Sequence, residues 1–230
     1  MSKVIDQNMV GYDVKKLMEI VRALATASKS TRERIYANNV DTRLSQDYRT
    51  ELEKNEKASL IGKAQGQLES VSKLITDIKT REEEYDNILD IDDPILQGAL
   101  NIVKTAGAEV ITADTTLIIE KLAGHRRALD ILHSAFDKAG VVVDHGKEYF
   151  YNTYALCETY EKAIANVLSD PYRAEYFGEA ERASRKLVRV LGIDNVSDAE
   201  LSCGWSREDL VEATMIEHSY ISPEDLKQAL

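Results

Sequence analysis

The sequence predicts an all-α protein: a long coiled-coil-like helical hairpin, a helical bundle, and a C-terminal module of short helices. Three observations carry that reading. Only 11 Gly and 3 Pro occur in 230 residues, about half the usual combined share of roughly 12%, so the turns that a sandwich or barrel needs every ~8–12 residues are missing. Apolar residues recur in steps of three and four almost throughout, which is the period of a helix face. Hydrophobic residues make up 43% and charged ones 30%, enough apolar matter for a core and too much for a disordered chain.

The first helix is drawn by Val10, Val14, Leu17, Val21 and Leu24, which step by 4, 3, 4 and 3 along one seam. It closes at Asn38-Asn39-Val40-Asp41, where Asn and Asp side chains compete with the helical backbone for hydrogen bonds. Ser45 is the expected N-cap of a second, longer helix. Gly62 and Gly66 weaken it, each by ~1 kcal/mol relative to Ala. Beyond them Ile61, Ala64, Leu68, Val71, Ile75, Ile78, Glu82, Tyr85 and Leu89 form a seam about 42 Å long. A stripe that narrow and that long calls for a partner helix, from the first helix in part and from a second chain for the excess.

Asp92-Asp93-Pro94 restarts the chain with an acidic cap and a proline at the first helical position. Val103, Ala106, Val110, Ala113 and Leu117 then make one seam, and Ile118, Leu122, His125, Leu129, Leu132, Phe136 and Ala139 a second. The phase slips by one residue near Asp114, the expected cap between two helices, and Gly140 is the natural stop. Tyr149 to Leu168 reads as helix with an aromatic band, and Asp170-Pro171 opens another that closes at Gly192. Three cap signals follow, at Ser197-x-x-Glu200, Ser206-x-x-Asp209 and Ser222-Pro223-x-Asp225. They announce helices too short to stand alone in water. The regions so defined are 1–91, 92–143 and 144–230, the last ending in an acidic module from 193.

Lys+Arg number 29 against 40 Asp+Glu, a formal net charge of −11. Such a balance argues against nucleic acid, whose counterions are displaced by surplus basic groups. Between Gly192 and Leu230 nine acidic residues face only Arg207 and Lys227. Just before them Arg182, Arg185, Lys186 and Arg189 occupy one helix face. That stripe is either a solvated surface or a dock for the acidic module of another subunit, which would give a head-to-tail assembly. Trp205, the only tryptophan, is placed to anchor the tail in a pocket. The longest run free of Asp, Glu, Lys and Arg is the ten residues Pro94–Val103, short of the ~18–20 that a membrane span requires. The N-terminus carries no apolar signal core. Cys157 and Cys203 are too few for a disulfide framework, so a reducing compartment is expected.

No Gly-rich phosphate loop, G-x-S-x-G or H-E-x-x-H occurs, so neither enzymatic activity nor a cofactor is expected. Asp130, His133 and Asp137 share a helix face and are the weak candidate for a metal site; no second helix offers the partner that di-metal bundles use. His125 on its seam reads as a core or interface residue, His145 as a loop residue, and His218 suggests nothing specific. The candidate interaction residues are therefore Ile61, Leu68, Val71, Ile75, Ile78, Tyr85, Leu89, Arg182, Arg185, Lys186, Arg189 and Trp205.

Within residues 30–143 the spacing of small and apolar residues follows a recognisable order. It runs from Asn38-Asn39-Val40-Asp41 and Leu44-Ser45-Gln46-Asp47-Tyr48-Arg49, through Leu100-Asn101-Ile102-Val103, Gly107, Ala113-Asp114-Thr115, Ile119 and Gly124, to Ala128-Leu129, Leu132, Phe136 and Ala139-Gly140-Val141. This resembles the helical scaffold-like or minor structural proteins encoded among the head-assembly genes of tailed bacteriophages. The resemblance implies a non-enzymatic role in a virus particle, a location in the virion or host cytoplasm, and partners that are further copies and other virion or assembly proteins. Two rivals from the residues themselves are a cytoplasmic adaptor working through the acidic module and a helical-bundle metal protein using Asp130, His133 and Asp137.

Overall fold

The computed structural model describes residues 7–84, 93–109, 112–143, 147–150, 153–211 and 213. Every regular element among them is helical. In order these are α1 (Gln7–Val40), α2 (Gln46–Gln65), α3 (Leu68–Glu84), α4 (Pro94–Ala106), α5 (Thr112–Lys121), α6 (Arg126–Ala139), α7 (Thr153–Ser169), α8 (Ala174–Val190) and α9 (Asp198–Leu201), with 3₁₀ turns at Gly107–Glu109 and Lys147–Phe150. Residues 207–211 are helical as well.

Compactness divides the chain differently from the three consecutive regions 1–91, 92–143 and 144–230. One unit takes the described residues of Met1–Tyr12, Asp77–Glu158 and Lys186–Val196; the other takes those of Asp13–Thr76, Thr159–Arg185 and Ser197–Leu230. Each unit is thus assembled from three separated stretches, because burial follows the apolar faces of helices and not the order of the chain.

In the first unit α4 packs on α6. Leu96, Ala99 and Val103 of α4 and Ala128, Leu129, Leu132 and Phe136 of α6 are buried, as are Ile118, Ile119 and Leu122 around α5. Asp93 caps α4 by accepting the N–H groups of Ile95 at 2.8 Å and Leu96 at 3.3 Å, with Pro94 next in the chain. The helix stops at Gly107, whose φ of +55° suits glycine alone. The seam expected to run from Val103 to Leu117 is therefore cut at Gly107, and Asp114 lies inside the first turn of α5 rather than capping it. The second expected seam is cut too. Residues 122–124 turn, Gly124 is left-handed, and His125 precedes α6 as its cap position. A periodicity count registers neither break, since both are set by backbone sign and not by side-chain polarity.

Gly140 and Gly192 end their helices alike. The Val141 N–H donates to Phe136 O and the Gly140 N–H to Asp137 O; the Ile193 N–H donates to Val188 O and the Gly192 N–H to Arg189 O. This is the Schellman arrangement, which satisfies carbonyls that a helix end leaves orphaned.

In the second unit Val14, Leu17, Met18, Val21, Leu24 and Ala25 of α1 are buried with Leu60 and Ala64 of α2, Val71 and Ile75 of α3, and Tyr160, Ala163, Ile164, Val167, Phe177 and Ala180 of α7 and α8. After Val40 the chain reverses: Asp41 accepts from the Arg43 N–H and side chain, and Ser45 caps α2 through the Tyr48 N–H at 3.3 Å. Arg34 meets Glu56 at 2.8 Å and Arg49 donates to Asn39 O at 3.0 Å, so α2 runs back antiparallel to α1. The long second helix expected from Ser45 to Leu89 is not continuous, for Gly66 and Gln67 turn between α2 and α3.

Candidate functional site

Lys15, Arg22 and Lys29 stand seven residues apart on α1, a spacing that brings them to one face of a helix. All three reach residues 197–211, the start of the acidic module. Lys15 Nζ lies 3.0 Å from Glu200 Oε1. Arg22 donates from Nε to Ser202 O at 3.1 Å and from Nη2 to Ala199 O at 2.9 Å and Glu200 O at 3.0 Å. Those carbonyls belong to the end of α9, so one guanidinium caps a four-residue helix that has too few internal bonds to hold itself. Lys29 Nζ lies 2.8 Å from Asp209 Oδ2 and 3.3 Å from Gly204 O.

The segment keeps its shape through two local boxes. Ser197 and Glu200 satisfy each other's backbone N–H, the Ser197 N–H at 2.8 Å and the Glu200 N–H at 3.4 Å. Ser206 and Asp209 do the same at 3.1 and 3.0 Å. Both caps were legible in the sequence; the third, at Ser222, lies outside the described residues. Hydrogen bonds from the Ser197 N–H and hydroxyl, and then Lys15, hold the Glu200 carboxyl down at about 2, against its ordinary 4.5. Lys29, with the Ser206 N–H, holds Asp209 below the ordinary range.

Trp205 is the apolar anchor. It is buried, its Nε1–H donates to Ala25 O in the middle of α1 at 3.2 Å, and its ring stacks on Phe177 with centroids 5.9 Å apart. Lys29 and Arg32 sit over it at 5.2 and 5.6 Å. Arg32 in turn faces Tyr172 at 4.1 Å and donates to its carbonyl, and Lys57 covers the same ring at 4.4 Å. Leu201 and Cys203 of the same segment are buried as well. The Cys203 N–H donates to Glu181 Oε2 at 2.9 Å, and burial pushes its thiol up to about 11, which disfavours the thiolate form.

The acidic module was expected to dock, if it did, on the stripe Arg182, Arg185, Lys186, Arg189 of another subunit. Within one chain its described part docks on α1 and α8. The stripe itself is divided. Arg185 binds Asp198 Oδ1 at 2.6 Å and Glu181 Oε1 at 3.1 Å and so adds to the same dock. Arg189, in the other unit, binds Tyr149 Oη at 2.6 Å and Glu120 Oε1 at 2.5 Å. Arg182 and Lys186 are exposed. Lys15, Arg22 and Lys29 do not stand out as a set in the sequence because α1 carries other charges between and beside them, among them Lys16, Glu19, Arg32 and Arg34. Their step of seven, opposite in sign to the acidic module, was the available signal.

The α3 seam also corrects an expectation. Val71, Ile75 and Ile78 are covered by the same chain, with 5%, 6% and 1% of their surface exposed, and Ile61 is half-buried; Leu68 remains open at 51%. At Val71, Ile75 and Ile78 the seam is therefore not a bare face awaiting another chain. Tyr85 and Leu89 lie outside the described residues. Asp130, His133 and Asp137 are exposed on α6, with the His133 ring stacked on Phe150 at 4.6 Å. Among the described residues no three His, Cys, Asp or Glu side chains are grouped to hold a metal ion, and no helix is long and apolar enough to cross a membrane.

No protein-family model, curated protein or solved structure matches the chain.

Proposed function

We propose that the protein is a non-enzymatic structural or assembly component that works by self-association, in the phage-head setting implied by the resemblance over residues 30–143. The observation that carries the self-association is on α4. Ile95 and Ile102 are 47% and 46% exposed, and with Gly98 they recur at three and four residues, on a face about 100° round the helix from buried Leu96, Ala99 and Val103. Nothing lies within 4 Å of the space a Cβ on Gly98 would occupy. Scattered exposed apolar residues need no explanation, but two isoleucines flanking a bare stretch of helix backbone make a surface on which another helix can approach closely. The same face on a second copy is complementary by a two-fold axis. The adaptor reading is less well supported, because Asp198, Glu200 and Asp209 are engaged by cations of their own chain.

Light scattering across concentration tests this. The native chain is expected to gain mass with concentration, and Ile95→Glu/Ile102→Glu to remain monomeric with unchanged helical circular dichroism. A native chain of constant monomer mass would refute the reading. Genes for capsid or portal proteins beside this one would support the phage setting, and metabolic neighbours would count against it.

A further inference from the structure

We propose that residues 197–211 form an exchangeable clasp, which binds α1 and α8 of its own chain here and binds the same surface of a second copy in an assembly. The proposal rests on the self-association reading and gives it a second contact, made by two copies that exchange their clasps.

Charge and shape specify the occupant. The acceptor presents Lys15, Arg22, Lys29 and Arg185, and the clasp brings Glu200, Asp209 and Asp198 to them. An occupant must also place an indole N–H on Ala25 O and, four residues further on, a carboxylate on Lys29. A generic acidic tail meets the charge requirement and not the other two. A second copy of this chain meets all of them by identity.

The attachment is of a kind that exchanges. The clasp has no fold of its own beyond α9 and the helical stretch at 207–211, so the acceptor dictates its shape. Its ion pairs are partly open to water, with side-chain exposures of 27% and 43% for Lys15 and Glu200, 36% and 46% for Lys29 and Asp209, and 39% and 85% for Arg185 and Asp198. Such pairs are individually weak. The chain enters the clasp through exposed Asp194 and the non-helical residues 195 and 196. Moving the clasp to a neighbour breaks and remakes the same contacts, so the loss of translational freedom is the main cost. High local concentration in an assembly reduces that cost.

A charge-swap mixture tests the exchange. Lys29→Glu alone and Asp209→Lys alone each place like charges together at this pair when the clasp binds its own chain. In a swapped pair of chains both contacts become opposite-charged again. Equal mixing of the two variants is expected to give a 1:1 heterodimer in sedimentation, at least tenfold more abundant than the dimer of either variant alone. The doubly substituted chain, paired correctly within itself, is the folding control. If either single variant loses helix, Arg185→Glu and Asp198→Lys provide the same test at more exposed positions. A mixture that sediments as the sum of its parts overturns the exchange. Native chains that still gain mass with concentration in that case leave the self-association reading intact, so the two failures are distinguishable.

Discussion

Tyr160 buries its whole side chain in the second unit, and its hydroxyl has no hydrogen-bond partner among the described residues. Burial pushes the phenol far above its ordinary range, so the group stays neutral and contributes only an unsatisfied polar atom. Losing such an atom is nearly neutral or favourable. Tyr160→Phe is therefore expected to leave the unfolding free energy unchanged or raise it by up to about 1 kcal/mol; a loss of more than that in urea melts would show that the hydroxyl is satisfied in solution. Glu200 behaves oppositely. Its carboxyl titrates at about 2 in the folded chain against 4.5 ordinarily, so folding favours the ionised form. The resulting stabilisation is fully present above 4.5 and is lost as pH falls toward 2. Trp205, the only tryptophan, lies in the same clasp and reports on it. Its emission is expected to shift red on acidification through that window, and Glu200→Gln to remove the low-pH part of the shift. An identical titration in the variant would place the acid sensitivity elsewhere.

At the scale of the element, glycines do opposite jobs that substitution separates. Gly62 lies within α2 with open space around its absent side chain, so Gly62→Ala is expected to stabilise by roughly 0.5–1 kcal/mol. Gly192 has a φ of +63°, and a Cβ there would meet Ala123 O at 2.6 Å. Gly192→Ala therefore meets both a strained backbone and a backbone atom that cannot step aside, and is expected to cost more than Gly62→Ala gains. Thermal melts of the pair should move in opposite directions; equal shifts would mean that backbone sign at 192 is not what ends α8. The element scale also shows what local sequence carries. The caps at Ser45, Asp93, Ser197 and Ser206 and the stop at Gly140 were readable because each is closed by bonds spanning six residues or fewer. The breaks at Gly107 and Gly124 were not, since an apolar period runs across a left-handed glycine without changing its count.

On the scale of the whole molecule, the clasp joins residues about 180 positions apart, as in Lys29 with Asp209 and Trp205 with Ala25. Salt separates the two kinds of contact proposed for this chain. Raising NaCl from about 50 to about 500 mM shortens the screening length severalfold below 10–15 Å, which weakens the part-exposed ion pairs of the clasp and leaves an apolar α4 contact intact. Trp205 emission in intermediate urea is expected to report earlier release at high salt, while the mass of native assemblies held through α4 is retained. A clasp indifferent to salt would mean that Trp205, Leu201 and Cys203 hold it unaided.

Read alone, the amino-acid order specified a helical protein, the caps that open α2, α4, α9 and the stretch at 207–211, and an acidic last segment of short helices in need of a support. Those properties follow from composition, period and capping chemistry, which act over a few residues. Folding in three dimensions set the rest: that the support is Lys15, Arg22 and Lys29 of α1, that Val71, Ile75 and Ile78 are covered from within, and that the chain divides into two units, each drawn from three separated stretches of sequence. Each depends on which distant apolar or charged faces come together, and a face at helical spacing carries no mark of the partner that will cover it.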